Sequence, residues 1–86
     1  MNAILRLLIP DKKGIHKRID AVVREGGAEV LHFRIRREMR GMSEAEIEIT
    51  RLNEEILPSI LSLVGRIPGV TLLGPESPGK PLPPTL

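Results

Sequence analysis

Side chains able to do chemistry are few in this chain and widely scattered. It has two histidines and no cysteine, which removes thiol catalysis, disulfides and the Cys/His ligand sets of structural zinc. His16 and His32 lie on different segments, outside metal-ligand spacing. Ser43, Ser59 and Ser62 have no partnering base in any recognisable motif. Gly26-Gly27 is too short for a phosphate loop and follows a helical pattern instead of a strand. These residues argue against an enzyme and against a resident cofactor or metal. What remains is the polar turn Pro10-Asp11-Lys12-Lys13-Gly14, where a charged segment meets a glycine at the foot of a helix.

The elements that must position this turn form one domain. With 86 residues the chain buries a modest share of its surface, and it has no staple to compensate. Association is the usual remedy, so a homo-oligomer is expected. No apolar run approaches the roughly 20 residues that span a bilayer. The start, Met1 to Arg6, lacks the basic segment and long apolar stretch of a secretory signal. The expectation is a cytoplasmic protein with no membrane partner.

Ala3 to Ile9 is a nearly continuous apolar run and reads as a central strand. Ile15, Ile19, Val22 and Val23 then make an amphipathic helical stripe, closed by Gly26-Gly27. Alternation follows, with Glu29, Leu31, Phe33 and Ile35 on one face and Val30, His32, Arg34 and Arg36 on the other. Arg40 to Ser43 reverses the chain, and Glu44 to Thr50 alternates strictly, so these two strands make a hairpin. Asn53 is placed to cap a second helix carrying Ile56, Leu57, Ile60, Leu61, Val64 and Ile67. Pro58 falls awkwardly inside it, which predicts a late start or an irregular first turn. Val70 to Leu73 is a short fourth strand. Residues 75–86 are Pro-rich and are expected to form a disordered tail outside a folded domain of residues 1–74.

The order β-α-β-β-α-β predicts an α+β, ferredoxin-like sandwich. Right-handed crossovers put both helices on one face of a four-stranded antiparallel sheet ordered 4-1-3-2. The other face would carry Arg6, Glu46, Glu48, Arg34 and Arg36 as basic, acidic and basic rows. Cross-strand ion pairs then account for the basic first half and acidic second half without a nucleic-acid partner. Weak nucleic-acid binding through Lys12, Lys13, Lys17, Arg18 and Arg24 is the alternative from another class. It is disfavoured because Phe33 is the only aromatic residue, leaving the open face without stacking platforms.

In this order and spacing, the first strand, Pro10-Asp11-Lys12-Lys13-Gly14-Ile15, the helix, Gly26 to Val30, the hairpin and Ile67-Pro68-Gly69-Val70 resemble the ACT domain family. The resemblance covers residues 3–73 and implies a regulatory module that binds a small ligand, usually an amino acid, where two domains meet. It implies ligand contacts at Asp11, Lys12, Lys13, Gly14, Ile15 and His16, and at Glu29, Val30 and Leu31. Glu29 stands where amino-acid-binding members often carry Asn, and Asp11 near a neutral polar position. Two carboxylates there favour a cationic ligand such as lysine or arginine. The chain is also similar to the small regulatory subunit of acetolactate synthase, which implies docking on a metabolic enzyme as an alternative to a self-contained homodimeric sensor.

Overall fold

The computed structural model describes residues 2–76, with side chains described for residues 2–74. In chain order the elements are β1 (Ala3–Pro10), α1 (Ile15–Glu25), β2 (Glu29–Met39), β3 (Met42–Thr50), α2 (Ile56–Gly65) and β4 (Thr71–Glu76). The strands form one antiparallel sheet of order β2-β3-β1-β4. This is the expected ferredoxin-like arrangement read from the opposite edge. The last strand runs further than Leu73, and residues 77–86 of the expected tail lie outside the described residues.

The two central strands make the core. Ala3, Leu5, Leu7 and Ile9 alternate inward on β1, opposite Ser43, Ala45, Ile47 and Ile49 of β3, and all are buried. Ile19 and Val23 of α1 and Ile60 and Val64 of α2 close over them. Asn53 caps α2 as its residue type suggests: its Oδ1 accepts the backbone N–H groups of Glu55 and Ile56, at 2.9 and 2.7 Å. The Leu57 N–H donates to the Asn53 carbonyl, but Pro58 has no N–H with which to continue the ladder. Regular helix accordingly begins late, at Ile56.

The second strand departs from strict alternation. Two irregularities in its pairing with β3 leave Leu31 and Arg36 without direct partners. The first one turns the pattern over, so Val30 sits opposite Ile49 and packs on the core, while Leu31 is 48% exposed. The sequence pattern assigned these two residues to the opposite faces. Phe33 and Ile35 keep their expected side, opposite Ile47 and Ala45.

The other sheet face bears the charge rows. Arg6 bonds Glu44 at 2.9 Å and Arg36 bonds Glu46 at 2.8 Å. Direct register sets Arg6 against Glu46 on β1 and Arg34 against Glu46 on β2, so the ion pairs run diagonally. Such partly exposed pairs stabilise a sheet only modestly. Arg6 holds the Glu44 carboxyl below its ordinary pKa by donating this hydrogen bond, with further help from the charges of Arg6, Arg37 and Arg36 against partial desolvation.

The helices approach closely where α1 ends. A Cβ on Gly26 would overlap Ile60 Cδ1, while Gly27, at φ 94°, takes the left-handed turn out of the helix. Gly26→Ala is therefore expected to cost about 1–3 kcal/mol by overpacking. Ile60→Val removes the obstructing methyl, so the double variant should be more stable than the sum of the two single losses. Denaturant melts of the four proteins check this, and simple additivity would contradict it. The lowered Glu44 pKa contributes stability that is present above the unfolded carboxylate pKa and is lost as pH falls through the folded one. Glu44→Gln should flatten the stability profile on the acid side of the ordinary carboxylate pKa, a change that urea midpoints measured at successively lower pH would record.

Candidate functional site

The turn leaving β1 is pinned to the β2–β3 hairpin. The Asp11 N–H donates to the Gly41 carbonyl at 2.9 Å, and the buried Ser43 hydroxyl donates to Asp11 Oδ1 at 3.1 Å. Gly14 has φ 86°, a left-handed conformation that L-residues with a side chain resist. That turn lets the chain enter α1 at Ile15, with the Arg18 N–H donating to the Gly14 carbonyl. No side chain caps this helix and no acidic residue lies in its first turn.

His16 emerges from the first turn of α1 and stacks on Phe33 of β2, with ring centroids 3.9 Å apart and planes 21° from parallel. Below the pair lies an open cleft of about 440 Å³ between the β1–α1 turn and the outer strand. Ile15, Phe33 and Ile35 give it an apolar wall, and Asp11, Lys12, Glu38 and Ser43 give it a polar end. The arrangement can hold a small molecule with an apolar part, a positive group and room to extend past the sheet edge.

The expected site residues therefore divide into two groups. Asp11, Lys12, Lys13, Gly14, Ile15 and His16 cluster at one end of the sheet, and Asp11, Lys12, Ile15 and His16 line the cleft. Glu29, Val30 and Leu31 start β2 at the opposite end, since Glu29 sits opposite Thr50 while Glu38 sits opposite Ser43. The Ser43–Thr50 span separates the groups by roughly 24 Å at about 3.4 Å per residue. Glu29 accepts an ion pair from Arg51 at 3.0 Å. The carboxylates of Asp11 and Glu29 thus do not meet within one chain.

Phe33, Ile35, Glu38 and Ser43 line the cleft without having been picked out as site residues. Phe33 and Ile35 read as core by alternation, but no helix covers them fully. Relative element length was the available signal. The 11 residues of α1 extend about 16 Å and the 11 residues of β2 about 36 Å. Ile35, on the helix side, is accordingly 44% exposed, while Met39, 40% exposed, pairs with Met42 on the opposite face.

Among the described residues, no group of three His, Asp or Glu side chains is placed to hold a metal ion. No described helix is long and apolar enough to cross a membrane. No protein-family model matches the chain, and no curated protein matches it. Among solved structures it is similar to the uncharacterized protein TM1266 from Thermotoga maritima. The two share 15% identity at a TM-score of 0.60, over 88% of this chain and 96% of that one. At that identity the likeness speaks for the fold alone.

Proposed function

We propose that this chain is a non-catalytic, ACT-like regulatory module that binds an amino acid, preferably a cationic one, between two copies of itself. The observation that carries this reading is the outer edge of β2. It is an unpaired strand edge whose helix-side residues Phe33 and Ile35 lack full cover. Of the four exposed large hydrophobic residues among the described residues, three (Leu31, Ile35 and Met39) lie on this strand. Unpaired apolar edges invite a further strand, and a two-fold axis supplies one from an identical chain.

Such pairing also joins the divided site. An antiparallel β2–β2 contact centred on Phe33 sets Glu29 of the second copy opposite Arg37, and Leu31 opposite Ile35. Centred on Arg34, it sets Glu29 opposite Met39. Either register brings the start of one β2 beside the Asp11, Glu38 and Ser43 end of the other cleft. Asp11, Glu38 and the incoming Glu29 then outnumber Lys12, the one lysine of the cleft lining, a balance that favours an ammonium or guanidinium group. A metabolic enzyme regulated by this module would dock on the dimer.

Calorimetric melting with each proteinogenic amino acid in turn tests the reading. A ligand at about 100 times its dissociation constant adds roughly 2.7 kcal/mol, a rise on the order of 10 °C for a domain of this size. Lysine or arginine is expected to give the selective rise. Sedimentation should show a dimer that Ile35→Lys converts to monomer, with loss of the thermal response. A wild-type monomer that responds to no amino acid would sink the proposal.

A further inference from the structure

The first turn of α1 separates two clefts. The one beside β2 ends in carboxylates. The other opens on the opposite side, between the β1–α1 turn and the segment leaving α2, and is lined by Lys12, Lys13, Gly14, Ile15, Arg18, Ile67 and Pro68. It measures about 270 Å³ and shares only Lys12 and Ile15 with its neighbour. Its lining includes no carboxylate.

We propose that this second cleft binds a small anion with a compact apolar body, a carboxylate or a phosphate monoester. Three cationic side chains converge on it from one turn and one helix face. Four arginines elsewhere are paired, Arg6 with Glu44, Arg36 with Glu46, Arg51 with Glu29 and Arg24 with Asp20, while among the described residues Lys17, Arg34, Arg37, Arg40 and Arg66 are scattered and unpaired like the cleft cations. Among the described residues Lys12, Lys13 and Arg18 take part in no ion pair. All three are exposed, so water screens their mutual repulsion, and what favours an anion is that the recess offers it three positive charges and no competing carboxylate. Ile15, Ile67 and Pro68 form the apolar lining that a bare ion would leave unused. The volume suits one small molecule. A nucleic-acid strand is disfavoured because Arg24, which would lengthen the basic track, is engaged by Asp20 at 3.3 Å, and no aromatic ring lines the cleft.

Amide NMR titrations of the full chain with phenyl phosphate, benzoate and benzyl alcohol test the site independently of the dimer cleft. Saturable shifts are expected at Lys13, Gly14, Ile15, Arg18 and Ile67 with at least one anion, and not with the neutral alcohol. A response to phenyl phosphate alone assigns a phosphate head, and to benzoate alone a carboxylate. The exposed double substitution K13A/R18A removes two of the three cations and should weaken binding at least about tenfold, the loss expected for even one hydrogen bond to a charged group. Its spectrum elsewhere and its sedimentation should match wild type. The proposal is overturned if neither anion gives saturable shifts, or if benzyl alcohol gives the same ones. Shifts confined to Phe33 and Ile35, undiminished binding by the variant, or salt-sensitive binding of a single-stranded oligonucleotide without either small anion would overturn it equally.

Discussion

Two short helices cannot roof four strands, and the rest of this structure follows from which strands they cover. Side chains from α1 and α2 close over β1 and β3, whose inward residues are buried along their whole length. That packing is the domain's main source of stability, at roughly 25 cal/mol per Å² of apolar surface removed from water. The close approach at Gly26 and Ile60 brings the helices together over the central strands. The same economy of cover leaves β2 projecting beyond the roof. Phe33 is only half-buried beneath His16, and Ile35 lies open.

The site geometry is a by-product of that projection. The turn after β1 is tied to the hairpin by Asp11, Gly41 and Ser43, so a fixed polar rim stands beside an unfinished apolar wall. Neither feature alone would define a recess. Together they place charge and apolar surface side by side at a strand edge, where a further strand can extend the wall. The opposite face of the sheet is satisfied by diagonal ion pairs and makes no comparable demand.

Charge is distributed with the same logic. Carboxylates at Asp11 and Glu38 lie on the β2 side of the α1 start, and Lys13 and Arg18 on the α2 side. A single helical turn thus separates a recess of mixed charge, with Asp11 and Glu38 beside Lys12, from one whose charged lining residues are all cations. Low ionic strength would sharpen the contrast, since exposed charges are screened over about 10 Å at 0.1 M salt.

The sequence by itself determined the elements, their order and the two-layer sandwich. Each rests on a local signal: alternation on β1 and β3, the helical stripe from Ile15 to Val23, the Asn53 cap and the glycines at reversals. Periodicity also placed the ionic rows, because period two fixes which side of a strand faces water. Tertiary structure alone decided what lies between Phe33 and solvent. Burial of a strand residue depends on whether a helix reaches over it, which alternation within the strand does not record and which element lengths only bound. It also decided the swap of Val30 and Leu31, since a bulge is a property of two paired strands and leaves no mark on one. Finally, it set Asp11 and Glu29 at opposite ends of the sheet, because β1 and β2 run parallel through their shared neighbour β3. Residues that a family pattern groups into one site are thereby kept apart in a single chain.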